Sequence, residues 1–141
     1  MFNRSFDMII SILGVLKSGC TYVPLDPSLP SKRLSYILED SNVNFILYKE
    51  ESLLSSLSVL KYSLLNIAES LNYESSKVEK ERGYDSVAYI MYTSGTTGVP
   101  KGISINDENI ITLINDPLSK ISVNNLDRVL QWSNYAFDGS T

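Results

Sequence analysis

The 141-residue chain contains no histidine. That excludes histidine-based triads, histidine general bases and histidine zinc sites. Its single cysteine, Cys20, allows neither an internal disulfide nor a Cys-x-x-Cys pair, and a reducing compartment is the default. Positive charge is also short: 12 Lys+Arg stand against 16 Asp+Glu, a net charge of -4. No basic face is visible, which argues against a nucleic-acid partner. No apolar run approaches the ~18 residues of a membrane span. Residues 1–19 lack the basic start, unbroken apolar run and small-residue cleavage site of a secretory signal. The expectation is a soluble, cytoplasmic chain, long enough for one modest domain with a real core. Neither membrane nor nucleic acid is expected as a partner, and no metal-ligating set is read.

What is present is concentrated in one stretch, Tyr89-Ile90-Met91-Tyr92-Thr93-Ser94-Gly95-Thr96-Thr97-Gly98-Val99-Pro100-Lys101-Gly102. Residues 87–92 are apolar, β-branched and aromatic, the composition of a buried strand. The composition then changes to hydroxyls and glycines. Thr93, Ser94, Thr96 and Thr97 supply hydroxyls, and Lys101 supplies one ammonium. Gly95, Gly98 and Gly102 allow positive φ and close backbone approach, and successive N–H groups in such a turn form a concave anion site. The nucleoside-triphosphatase loop is a different object, because there the lysine follows glycine directly and opens a helix. Here Lys101 follows Pro100, and Ile103 and Ile105 alternate around Ser104. The pattern predicts a loop over residues 94–101 between two strands, with residues 102–105 pairing back toward 87–93. Composition alone leaves two readings open, a strand–loop–strand phosphate site and a hairpin without ligand.

Elsewhere the patterning is helix, strand, helix, strand. Phe6, Ile9, Ile10, Leu13 and Leu16 have helical spacing, with Ser5 to cap the start and Gly19 to end the helix. The remaining face, with Met8, Ile12 and Val15, is apolar too, so this helix is expected to be buried on most sides, which implies neighbours preceding Met1. Residues 21–25 read as a short strand, Asp26-Pro27 as a turn, Ser31 as the cap of a helix ending near Asp40, and residues 43–48 as a strand. Leu53, Leu54, Leu57, Val59 and Leu60 suit a short helix and strand, and residues 62–66 a further strand. Residues 69–85 read as a solvated loop before the central strand, which is expected to enter the same sheet. Asn106 should cap a helix stopped by Asp116-Pro117, and residues 128–133 read as a strand. The order indicates an α/β fold, helices layered on a largely parallel sheet.

The run from Tyr92 to Gly102 resembles the AMP-binding motif of adenylate-forming enzymes, the superfamily of acyl-CoA synthetases, luciferases and adenylation domains of non-ribosomal peptide synthetases. Leu16-Lys17-Ser18-Gly19-Cys20-Thr21-Tyr22-Val23-Pro24-Leu25-Asp26-Pro27 resembles a motif of the peptide-synthetase branch, continued by Pro30, Arg33, Tyr36, Leu38, Asp40 and Ser41. Leu29 and Lys32 depart from it at positions without chemistry. In that frame Cys20 occupies a small-residue position and reads as a buried, inert thiol. Phe137-Asp138-Gly139-Ser140 resembles the motif whose aspartate holds the α-ammonium of an amino-acid substrate; read by itself, Asp138 is better taken as a helix N-cap. Asp107 stands where the family has histidine, adding negative charge a few residues from the loop.

The resemblance implies a partial adenylation domain over residues 1–141, truncated at both ends, from the large N-terminal domain of an adenylate-forming enzyme. The implied reaction joins an amino-acid carboxylate to the α-phosphate of Mg·ATP, with Mg2+ and ATP as cofactors, and passes the acyl group to a phosphopantetheine thiol. Implied partners are the amino acid and the peptidyl carrier and condensation domains of a longer protein. Thr93, Ser94, Gly95, Thr96, Thr97, Gly98 and Lys101 would serve the phosphates. Asp138 would serve the amine, and Gly139 would line the side-chain pocket. No catalytic residue is placed within these 141 positions, and one pocket position does not name the amino acid. An acyl-CoA synthetase fragment and a non-catalytic remnant are the alternative readings.

Overall fold

The computed structural model describes residues 1–55, 57, 61–74, 78, 80–94, 98–115, 124–128 and 134–136. Helix α1 spans Phe6–Lys17. The Ser5 hydroxyl accepts the Met8 amide at 3.3 Å, the cap its position predicts. At the other end Gly19 adopts φ 78°. Its amide donates to the Leu16 carbonyl at 2.9 Å, and the Cys20 amide to that of Val15 at 3.1 Å, a Schellman closure that needs the left-handed residue. The burial differs from expectation. Met8 and Ser11 are buried, whereas Phe6, Ile9, Ile10 and Leu13 are exposed. A helix apolar on every side carries no signal for which side is covered, and the described chain covers one side only.

Residues 21–25 do not make a full strand. Tyr22 alone forms a parallel bridge, to Tyr89: its amide donates to the Ala88 carbonyl at 3.1 Å, and its carbonyl accepts the Ile90 amide at 3.0 Å. Pro24 has no N–H to extend the ladder. Cys20 is exposed rather than buried, because it lies in the turn that leaves α1. The Asp26-Pro27 turn forms as expected. The Leu29 amide donates to the Asp26 carbonyl at 3.1 Å and the Ser28 amide to Asp26 Oδ1 at 2.8 Å.

Helix α2 spans Ser31–Asp40. Its N-cap is Pro30, whose carbonyl accepts from the Arg33 and Leu34 amides. Ser31, expected as the cap, is instead the first helical residue; Pro30 already holds the φ of -54° that the turn needs. Leu34, Ile37 and Leu38, at i, i+3 and i+4, are buried. Strand β1, Phe45–Tyr48, pairs in parallel with β2, Ser63–Asn66, across a 3₁₀ turn at Glu51–Leu54. A second 3₁₀ turn covers Ile67–Asn72. The main core joins Leu25, Leu34, Ile37, Leu38, Ile46 and Leu54.

Strand β3, Val87–Ser94, pairs antiparallel with β4, Pro100–Asn106, and helix α3, Asp107–Asn115, follows. α3 begins just after Asn106, whose amide donates to Asn109 Oδ1 at 3.0 Å, the returning arm of a capping box. A smaller core gathers Ala88, Tyr89 and Met91 with Leu16, Tyr22, Ile105 and Ile110. The fold is mixed α/β with parallel pairing, as expected. Among the described residues, however, β3–β4 is a sheet separate from β1–β2. The segment that could widen it, residues 21–25, is stopped at one bridge by Pro24. The strand read over residues 128–133 lies outside the described residues except for Arg128, which is in no strand.

Candidate functional site

The hydroxyl- and glycine-rich stretch is the tip of the β3–β4 hairpin. The register pairs Met91 with Ile103, Tyr92 with Gly102, Thr93 with Lys101 and Ser94 with Pro100. The strands thus run slightly further than the 94–101 loop read from sequence. Directly paired residues share a face, so the Thr93 hydroxyl and the Lys101 ammonium stem rise side by side at the mouth of the turn. Both are exposed. Gly98, within the turn, has φ 80°, the left-handed backbone that lets amides converge. Gly95, Thr96 and Thr97 lie outside the described residues, as do Asp138 and Gly139. The structure therefore brings Thr93, Ser94, Gly98 and Lys101 to one tip.

Gly102 meets one of the two expectations, close approach, and not the other. It has no positive φ; it makes room. A Cβ there would lie 3.1 Å from Tyr92 Cζ, 3.2 Å from its Oη and 3.1 Å from Ile90 Cγ2. The Tyr92 ring lies against the Gly102 backbone, and its hydroxyl donates to Asp40 Oδ2 at 2.6 Å. Burial, then the hydrogen bond to Asp40 and its charge, push the phenol well above its ordinary range, so it stays protonated as the donor.

Asp107 is not beside the hairpin tip. It follows β4 at the end opposite Pro100, about 20 Å along a seven-residue strand. Its carboxylate is paired. Arg82 Nε donates to Oδ2 at 2.6 Å and Nη2 to Oδ1 at 3.1 Å. The same guanidinium donates to the carbonyls of Cys20 at 2.8 Å and Val87 at 3.0 Å. Sequence reasoning left Arg82 in a solvated loop, because nothing local distinguishes it from Lys80 or Glu81. A cavity of about 440 Å³ adjoins the pair, lined by Leu16, Tyr84, Ile110 and Ile111 among others.

The chain approaching Asp138 is anchored elsewhere. The Asn134 side-chain amide donates to Asp26, and the Tyr135 hydroxyl lies 2.6 Å from the Leu25 carbonyl and 2.7 Å from that of Phe2. Burial raises Asp26, but hydrogen bonds from Ser28 and Asn134 outweigh it and hold the carboxyl below its ordinary range. Residues 134–136 are thereby held against the turn that follows α1. Among the described residues no group of three or more acidic or cysteine side chains is placed to hold a metal, and no helix is long and apolar enough to cross a membrane.

Comparison with known proteins matches residues 1–141 to the model of the AMP-binding enzyme family. The chain is 40% identical over 145 residues to polyketide synthase PksN of Bacillus subtilis (strain 168), covering 98% of this chain and 3% of that protein. It is 37% identical over 145 residues to bacitracin synthase 3 of Bacillus licheniformis, covering 99% and 2%. The chain thus spans a few hundredths of these relatives' length. Among solved structures, an AMPPNP-bound form of the nonribosomal peptide synthetase FmoA3 superposes with a TM-score of 0.83 at 25% identity, over 96% of this chain and 14% of that one. An o-succinylbenzoate CoA synthetase from Bacillus subtilis shares the fold at 0.70 and 23% identity, over 90% and 34%.

Proposed function

The chain belongs to the AMP-binding enzyme family, and on that premise we propose that it is part of an adenylation domain that activates an amino acid for a peptide synthetase. The observation that carries the reading is the hairpin tip, where Thr93 stands opposite Lys101 at a glycine turn. A hydroxyl and an ammonium beside a left-handed glycine suit a polyphosphate. The described residues fit the phosphates of ATP. Mg2+ would arrive with the nucleotide, coordinated chiefly by phosphate oxygens and water. When bound, ATP would supply an adenylyl group to the substrate carboxylate, with pyrophosphate as the leaving group. This chain's residues would orient the phosphates and offset charge where it develops, catalysis by positioning and electrostatics. Asp138 would pair with the amine of the substrate and Gly139 would line its side-chain pocket. Phosphopantetheine on a carrier domain would accept the acyl group, and a condensation domain would follow in the longer protein.

Residues 1–141 would be one stretch of that domain. The peptide-synthetase reading is favoured over an acyl-CoA synthetase because the nonribosomal peptide synthetase FmoA3 superposes at a TM-score of 0.83 over 96% of the chain, against 0.70 over 90% for the CoA synthetase. The test is ATP–pyrophosphate exchange by the whole protein that carries this chain, over a panel of amino acids and matched des-amino acids. Exchange dependent on an amino acid supports the reading. Exchange only with acids lacking an amine, together with CoA thioester formation, favours the acyl-CoA alternative. No exchange with any acid leaves a non-catalytic remnant. The 141 residues alone are expected to give no exchange above a buffer control.

A further inference from the structure

We propose that Tyr92 and Asp40 form a positioning pair that fixes the base of the hairpin tip, so that the tip presents Thr93 and Lys101 to phosphate in one geometry. The proposal rests on the phosphate-binding reading of the tip. Its premise is where packing ends. Thr93, Ser94, Gly98, Val99, Lys101 and Gly102 are all exposed, whereas Met91, further down β3, is buried. Among the described residues, Tyr92 is the last of β3 to pack against a core. Its ring lies at the edge of the main core and over Gly102 of the paired strand. Its hydroxyl meets Asp40 at 2.6 Å, a length typical of a hydrogen bond to an ionised oxygen. Asp40 is the last residue of α2, and that helix end is held in turn: the Ser41 hydroxyl donates to the Ile37 carbonyl at 2.5 Å. The pair therefore joins a core helix to the residue preceding Thr93. Across the hairpin, the absent side chain of Gly102 lets the ring lie where it can reach Asp40. Tyr92 precedes the tip on β3 and Asp40 ends α2, so both act through the backbone of the tip.

The test uses the whole protein that carries this chain, as wild type, Tyr92→Phe, Asp40→Ala, Asp40→Asn and the Tyr92→Phe/Asp40→Ala double variant. Amide hydrogen exchange is read at Thr93, Ser94, Lys101 and Gly102, with α1 amides as the internal control. Binding of inorganic tripolyphosphate is read in parallel. Tyr92→Phe and Asp40→Ala should each speed exchange at the tip roughly tenfold and weaken tripolyphosphate by a similar factor, the effect of losing one hydrogen bond to a charged group. The double variant should be no worse than either single, and Asp40→Asn, which keeps an acceptor, should recover most of the loss. Unchanged tip exchange in Tyr92→Phe, or single effects that simply add, would overturn the pair. Equal tripolyphosphate binding by wild type and Tyr92→Phe would overturn its positioning role and leave the phosphate site standing. No binding by a wild-type chain whose tip amides are protected would sink the phosphate reading, while exchange would still judge the pair.

Discussion

Arg82 and Asp107 form a two-point ion pair in which Nε meets Oδ2 at 2.6 Å and Nη2 meets Oδ1 at 3.1 Å. Both side chains are mostly shielded, at 14% and 18% exposure. With its bonds to the carbonyls of Cys20 and Val87, the guanidinium ties the exit of α1, the start of β3 and the start of α3. Only a planar fork can serve these acceptors together. Where the family motif has a neutral or switchable histidine, this chain has a carboxylate with a dedicated partner.

Removing either member should therefore destabilise the chain. Breaking a shielded pair leaves the surviving charge uncompensated, a loss on the order of 3 kcal/mol. Asp107→Ala and Arg82→Ala should each lower the urea midpoint, and their double variant should lose less than the sum. Arg82→Lys should recover little. A midpoint within error of wild type for Arg82→Ala would show that the pair adds nothing.

At alkaline pH Tyr22 is one of three phenols held above their ordinary range, with Tyr92 and Tyr135. Burial first, then neighbouring Tyr89, push its phenol from 10.0 to about 12. The rings stand 5.3 Å apart. The sign follows from linkage: a folded value above the unfolded one stabilises below pH 10, and the contribution is lost as pH rises from 10 toward 12. Unfolding monitored across that window should show stability falling, and Tyr22→Phe should lessen the fall, leaving the share of Tyr92 and Tyr135. Ultraviolet titration of wild type against Tyr22→Phe should assign a late-ionising phenol to this position.

Lys101→Ala in the whole protein should act at the ATP step. Its stem rises beside Thr93 at the hairpin mouth, and a charge-assisted contact to phosphate contributes roughly 1.5–3 kcal/mol. The apparent KM for ATP should rise, or adenylation slow, by about tenfold or more, with amino-acid selectivity retained. An unchanged ATP dependence would remove Lys101 from the site.

Asp138→Asn separates an amine-binding carboxylate from a helix cap, since asparagine caps as well as aspartate. If Asp138 pairs with a substrate ammonium, the variant should lose roughly 2–5 kcal/mol with the cognate amino acid. It should lose little, or gain, with the des-amino acid. Small and equal effects on both substrates would leave a cap.

The local outline of the hairpin was legible in the sequence. Pro100 before Lys101 and the alternation of Ile103 and Ile105 around Ser104 speak for strand, and β4 runs through all of them. Ser5 and Gly19 marked both ends of α1 because capping is chemistry between near neighbours. Ser31 misled, because the adjacent Pro30 competes for the same position and already has the required φ. The exposed face of α1 was illegible, because periodicity reports that a residue is apolar and not what lies opposite it.

By itself the sequence determined the strand–turn–strand motif, the caps of α1 and the family-like order of its motifs, all written in residues a few positions apart. Tertiary structure alone decided that Tyr92 reaches Asp40, that Arg82 neutralises Asp107, and that Asp107 sits at the far end of the hairpin from its tip. Those pairs are 52 and 25 residues apart in the chain. A hydrogen bond or ion pair at that separation depends on which surfaces the folded elements bring together, and local pattern does not encode that choice.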